Sequence, residues 1–327
     1  MRGSVSKISR RELLRSSAVT CGAAFAVSHT CCGILEGSSV FADTQPSMTF
    51  PTAPRDRLAV ATWPFRAEIE GTKNEYRDRM KPGMDLKDWV VTIPEKFGVN
   101  GVEPLSSHFS STGARYLQEF RKAIDNAHMH VVNIPVDNEF SFYEAEAANR
   151  KKAVDNSKEW VDIAVAIGSP SVRTSMGDPK NSKPNVDLAA ESLKQVADYA
   201  AKKNIQVNLE NDNLVSEDAF FIVKVIEKAN HAFLHALPDF CNSMQTDNSS
   251  FNYNAVKAMF GHAYNICHVK NSEVGDGGKV YRISMKLTFD IVKAASYRGY
   301  LSMEWEGPEN PYEGTKRLIA ESLQYLA

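Results

Sequence analysis

Four short apolar runs within residues 207–306 decide the fold: VNLEN (207–211), LPDFCN (237–242), ICHVKN (266–271) and LSMEWE (301–306). Each closes on a carboxylate or an imidazole, and each is followed by a segment with helical spacing. Short apolar runs of this kind are what strands covered on both faces look like. Their alternation with helices predicts parallel strands in a barrel, presenting Glu210, Asp239, His268 and Glu304 at one mouth. Three carboxylates and one imidazole suit one hard or borderline divalent ion: Mn²⁺, Co²⁺, Zn²⁺ or Mg²⁺. A single acid after a strand means little, because helix N-caps favour Asp and Asn there. Four successive strands with ligand-type endings carry the reading.

The same rhythm extends backwards through the chain. LAVATWPF (58–65) reads as the first strand, and Trp63 and Phe65 at its end are either a wall for a sugar ring or core packing. GVEPL (101–105) is the second, with Glu103 placed to touch a ligand and His108 in the following loop as either a substrate contact or a surface residue. HVVNIPV (130–136) is the third and SVRTS (171–175) the fourth. Arg173 stands at the mouth of that strand, where a guanidinium needs a carboxylate or an anionic ligand group as partner. Helical spacing covers 84–97, 116–127, 143–167, 186–203, 216–230, 255–262, 283–298 and 313–325. Strand-plus-helix units of roughly 30 residues predict an α/β fold, a single (β/α)₈ TIM barrel, over 57–327. Pro46, Pro51 and Pro54 mark 43–56 as a linker or extended arm.

Strand alternation puts Glu304 and Glu306 on one side. Glu304, deeper in the strand, is the expected ligand, and Glu306 an acid that contacts substrate. Asn211 and Asn242 are neutral neighbours suited to orienting carboxylates. Lys270, two residues after His268, points the same way and suits a substrate oxyanion. GDGG (275–278) is a flexible lid or an exposed tight turn.

The first 42 residues read as an export leader rather than as part of the fold. Lys7, Arg10, Arg11 and Arg15 precede a mildly apolar run at 16–27, and small residues flank a cleavage site after Ala42. SRRELL (9–14) is similar to the twin-arginine signal, which predicts a periplasmic protein, free of the membrane once the leader is cleaved. The remaining chain is mildly acidic and lacks a basic patch, which argues against nucleic acid as a partner. Only Cys241 and Cys267 lie beyond the leader, as one disulfide or two buried thiols.

The pieces LEN (209–211), LPDFCN, HVKN (268–271) and GYLSMEWEG (299–307) resemble the xylose-isomerase-like sugar phosphate isomerase/epimerase superfamily, which also contains the metal-dependent AP endonucleases. The resemblance covers nearly all of the chain after the leader. It implies a single divalent ion held by Glu210, Asp239, His268 and Glu304. It also implies that Glu210 and Glu304 flank the substrate and exchange a proton at a carbon next to a carbonyl, through an enediolate. Two positions depart from the pattern: Asn271 stands where members often have aspartate, and Asn242 where several have histidine. The extra histidines of the endonucleases' multi-zinc cluster are not evident. The expected function is metal-dependent isomerisation or epimerisation of a small sugar or cyclitol. A lyase or dehydratase acting on a keto-sugar or 3-keto-glycoside is the first alternative, and a non-catalytic exported carbohydrate-binding barrel the second. The expected partner is a small carbohydrate, and a homo-oligomer is left open.

Overall fold

The computed structural model describes residues 45–177 and 182–326. The leader expectation, with Arg10, Arg11 and cleavage after Ala42, lies outside the described residues. The strands in chain order are β1 (Leu58–Ala61), β2 (Gly101–Glu103), β3 (His130–Val131), β4 (Ile134–Val136), β5 (Ser171–Thr174), β6 (Gln206–Glu210), β7 (Leu234–Leu237), β8 (Ile266–Val269), β9 (Ser272–Val274), β10 (Val280–Arg282) and β11 (Tyr300–Met303). The helices are α1 (Leu86–Phe97), α2 (Ala114–Asn126), α3 (Ala147–Ile167), α4 (Val186–Ala201), α5 (Ala219–Ala229), α6 (Ser249–Phe260), α7 (Met285–Ala294) and α8 (Pro311–Leu326).

All barrel pairings are parallel. One arc runs β3, β2, β1, β11, β8 and the other β4, β5, β6, β7. The arcs join twice. β3 and β4 are two halves of one stave, interrupted at Val132 and Asn133, and β7 meets β8 through the bridges Ala236 to Ala263 and Asp239 to His268. The ring therefore closes as a TIM barrel. Closure removes unpaired strand edges and brings the strands' C-terminal ends to one mouth.

Side-chain alternation divides the apolar residues between two clusters. Leu58, Val60, Val172, Val207 and Leu209 pack with helix residues such as Trp89, Leu193 and Ile222 in the large core outside the barrel. Ala59, Val132, Leu237, Ile266 and Tyr300 form a separate small cluster, joined by Met48 and Phe50 of the N-terminal arm. Phe50 meets the Tyr264 and Tyr300 rings edge-on at 5.6 and 6.0 Å, and Asn204 ties the arm down through both backbone groups of Ser47. Each fully buried large side chain contributes about 1.5–3 kcal/mol. Helix starts follow local chemistry: Asp85, Asn185, Asp218, Asn248 and Ser284 each accept a backbone N–H from the first turn, while left-handed Gly98 and Gly168 end α1 and α3.

The first strand is shorter than its sequence suggests. It stops at Ala61, and Trp63–Phe65 is a turn of 3₁₀ helix with Pro64 in its first turn. Residues 275–278 take the tight-turn alternative: they form the turn between β9 and β10, an antiparallel hairpin in which Gly275 N–H donates to Lys279 O at 2.9 Å.

Candidate metal centre and active site

Glu210 ends β6, Asp239 follows β7 by two residues, His268 lies in β8, and Glu304 directly follows β11. Gln206, Asn208 and Glu210 share one side of β6 by alternation, as Tyr300, Ser302 and Glu304 do along the β11 stave. The fold thus brings together four side chains that are far apart in sequence. One ligand atom from each lies within 4.8 Å of all the others, and all four residues are buried.

The donor set fits a divalent cation in a further respect. Asp239 Oδ1 accepts the N–H groups of Cys241 (2.8 Å) and Asn242 (2.6 Å), while its buried Oδ2 has no hydrogen-bond partner. A buried carboxylate oxygen without a donor is costly unless a cation meets it, and the nearest cation here is Lys270 Nζ at 3.7 Å. Asn211 fixes the strand end that carries Asp239: its Oδ1 accepts Asp239 N–H at 2.8 Å and its Nδ2 donates to Asp239 O at 3.1 Å. Asn242 donates through Nδ2 to Glu210 Oε1 at 3.4 Å and accepts from Lys270 Nζ at 2.9 Å. Asn242 thus touches a carboxylate of the cluster, whereas Asn211 holds the Asp239 backbone and Ser243 Oγ rather than a carboxylate.

Two cations organise the acids around the cluster. Arg173 Nε lies 2.8 Å from Glu210 Oε2, and the same guanidinium reaches Asp137 at 3.3 Å, Asp212 at 3.1 Å and Glu217 at 3.9 Å. Lys270 Nζ is 3.0 Å from Glu304 and 3.2 Å from Glu273. The environments push the two central glutamates apart. Burial alone would raise Glu210, but His268, Arg173 and Lys270 outweigh it and hold its carboxyl at about 2. Burial raises Glu304 to about 7, with His268 and Lys270 opposing and the Glu210 and Asp239 charges adding to the rise. Burial also lifts Asp239 to about 6, and lifts Glu217 and Glu273 each to about 8.

The cluster opens into a cavity of about 300 Å³ whose wall includes Trp63, Tyr76, Glu103, Arg173, Glu210, Asp212, His268, Lys270, Glu273, Glu304 and Glu306. Of the two readings open for Trp63, the structure places it at the cavity wall. Its indole N–H donates to Glu306 Oε1 at 2.5 Å, and Arg66 covers its ring at 4.1 Å while pairing with Glu306 at 3.3 Å. Phe65 is not at the wall. It is fully buried among Trp89, Phe97 and Tyr312, because the 3₁₀ turn ends the two-residue alternation that would have aligned it with Trp63. His108 is neither a surface residue nor part of the cavity wall: it is fully buried, with Nδ1 2.8 Å from Thr62 Oγ1, and burial lowers its pKa to about 3. Glu103 does line the cavity, but its carboxylate is taken up by Asn133 and His268.

Sequence reasoning did not single out Glu217, Asp212, Glu273, Arg66 or Tyr76. Glu273 comes from the β9–β10 hairpin, whose signal is the turn-forming GDGG between the short segments SEV and VYR. Asp212 and Glu217 follow the β6 stave, where ordinary helix-capping acids look the same. Cys241 and Cys267 are both free and buried, and burial pushes the Cys267 thiol up to about 12.

Comparison with solved structures finds the same fold in proteins of low identity. D-allulose 3-epimerase from Methylomonas sp. matches with a TM-score of 0.64 at 13% identity, over 85% of this chain and 100% of that one. 3-Keto-D-glucoside 4-epimerase from E. coli matches with 0.58 at 13%, over 82% and 98%. A xylose isomerase-like TIM barrel protein from Mycobacterium smegmatis in complex with magnesium matches with 0.61 at 16%, over 83% and 97%. No curated protein matches the chain. Residues 93–327, which include all four ligand-type side chains, match the family model described as xylose isomerase-like TIM barrel, and the chain belongs to that family.

Proposed function

We propose that the protein is a metal-dependent isomerase or epimerase of an uncharged keto-sugar or cyclitol, working by proton transfer through an enediolate. The observation that carries this reading is the buried cluster of Glu210, Asp239, His268 and Glu304, with one ligand atom of each within 4.8 Å of the others and both Glu210 and Glu304 lining one cavity. Two carboxylates that face one cavity suit complementary base and acid roles at a single carbon.

Glu210, Asp239, His268 and Glu304 would hold the ion. When bound there, a divalent ion polarises the substrate carbonyl and lowers the cost of the enediolate charge. Glu210, whose Oε2 pairs with Arg173 Nε at 2.8 Å, takes the proton from the carbon next to the carbonyl. Glu304 supplies the proton to the opposite side and ends as the carboxylate. Asn242 holds Glu210 Oε1 and Lys270 Nζ in register, so the ammonium faces the site where substrate oxygens gather. Trp63, pinned by Glu306 and Arg66, gives the sugar ring an apolar wall.

The charges favour a neutral substrate. Arg173 is matched against four carboxylates, Lys270 against three and Arg66 against Glu306, which leaves no unpaired cation on this wall, among the described residues, for a phosphate or a carboxylate. Tyr76, 61% exposed and edge-on to Trp63 at 5.1 Å, forms a solvent-facing rim of the cavity, where the second group of a glycoside would lie. That feature favours, as a second reading, elimination from a 3-keto-glycoside through the same enediolate. The twin-arginine-like SRRELL (9–14) supports export to the periplasm as part of the proposal.

The test is solvent-deuterium exchange into a panel of neutral keto-sugars, keto-sugar phosphates and 3-keto-glycosides. Label is expected in a neutral compound, with loss after chelation and recovery on adding Mn²⁺ or Co²⁺. Epimer formation selects the first reading and release of an aglycone the second. Tight sugar binding without exchange, indifferent to chelator, would replace both with a non-catalytic binding barrel.

A further inference from the structure

Glu103 ends β2 with its side chain fully buried. An ionised carboxylate in that position is tolerable only when donors fill its oxygens. Asn133 Nδ2 donates to Oε1 at 2.8 Å, and His268 Nε2 lies 3.0 Å from each oxygen. The Asn133 amide is held from its other side. Ser171 Oγ donates to Asn133 Oδ1 at 2.6 Å, and Asn265 Nδ2 donates to Ser171 Oγ at 2.9 Å.

These contacts have a fixed polarity. A carboxylate only accepts, so Asn133 must turn its NH₂ toward Glu103 and its oxygen toward Ser171, and His268 must carry a proton on Nε2. The other ring nitrogen, Nδ1, then faces Glu210 Oε1 at 2.7 Å and Glu304 Oε2 at 3.4 Å. The break between β3 and β4 at Val132 and Asn133 belongs to the same arrangement, since Asn133 sits in that break with its side chain spanning from Ser171 to Glu103.

The geometry points to Glu103 as a positioning residue: with Asn133, Ser171 and Asn265 it forms a buried relay that fixes the His268 ring with Nδ1 presented to the cluster of Glu210, Asp239 and Glu304. This rests on the metal reading above. A carboxylate behind a ligating imidazole sets the ring's orientation and raises its donor strength, and losing such a partner costs roughly 10- to 100-fold in metal affinity. Glu103 therefore acts on the site through His268, and its contribution is separable from any role in stability.

The experiment titrates Co²⁺ into protein stripped with chelator, by calorimetry and visible absorption, for the wild type, Glu103→Gln and Asn133→Leu, beside urea unfolding of each. Glu103→Gln is expected to raise the Co²⁺ Kd by roughly 10- to 100-fold and to change the visible spectrum, with Asn133→Leu giving a smaller loss. Wild-type Kd and spectrum in folded Glu103→Gln would overturn the relay, because a purely structural role moves only the urea midpoint. Should Glu103→Gln fail to fold, Asn133→Leu decides: weakened Co²⁺ binding supports the relay, and unchanged binding overturns it. A wild type that takes up no metal would overturn the metal reading and the relay together, whereas tight wild-type binding with no effect of either variant overturns the relay alone.

Discussion

Replacing Glu304 with glutamine is expected to lower solvent-deuterium exchange by about 10³-fold, in whichever keto-sugar the wild type labels, because a positioned acid or base contributes ~10²–10⁴-fold and metal coordination weakens as well. Glutamine keeps the shape and can still accept from Lys270 Nζ, 3.0 Å from Glu304 in the native site. It cannot give up or take a proton. The fold should survive, since Glu304 lies beyond the last residue of β11 and contributes no apolar packing. Glu304→Asp separates the roles: it restores a titrating group with a shorter reach, so partial exchange should return where glutamine abolishes it. Exchange at the wild-type rate in folded Glu304→Gln would remove Glu304 from the proton path and leave the reaction without its acid.

Arg173→Met carries the largest expected loss of stability. The guanidinium is 3% exposed and sits among Glu210, Asp137, Asp212 and Glu217. Asp137 and Asp212 can turn to water, but Glu210 and Glu217 are buried. Glu217 is also bound in place, accepting Met176 N–H at 2.8 Å and Asn213 Nδ2 at 3.0 Å. Removing one partner of a buried ionic group leaves the others uncompensated, which costs about 3–5 kcal/mol. Urea unfolding of the wild type and Arg173→Met measures it. A companion Arg173→Met/Glu217→Gln variant should recover part of the loss, because one of the stranded carboxylates is then gone. A single variant as stable as the wild type would show that the acids neutralise by protonation at little cost.

The barrel and its central cluster were legible because both follow from strand alternation. Glu210, Asp239 and Glu304 each fall at or just past a strand's C-terminal end and His268 one residue before it, and the same two-residue period that makes VNLEN and LSMEWE readable aims their acids inward. Where the period changes, the reading fails. Phe65 shares parity with Trp63 in an extended strand, yet a 3₁₀ turn swings it into the core with Tyr312, 4.8 Å away. His108 sits in another 3₁₀ turn, Ser106–His108, which folds it onto Thr62. Glu273 and Glu217 reach the site through a hairpin and a loop packed against distant strands, and no local spacing encodes that. Glu103 was visible as an inward acid, but its two donors come from positions 30 and 165 residues away. Such pairings are set by barrel closure rather than by neighbours in the chain.

Metal content of the purified chain tests the reading most directly. Plasma mass spectrometry on the wild type, Asp239→Asn and His268→Ala should find about one divalent ion per wild-type chain, as expected of a single-ion site, and little in either variant while circular dichroism stays native. A well-folded wild type without metal, whose action on keto-sugars ignores chelator, would contradict the assignment of Glu210, Asp239, His268 and Glu304 as a metal centre.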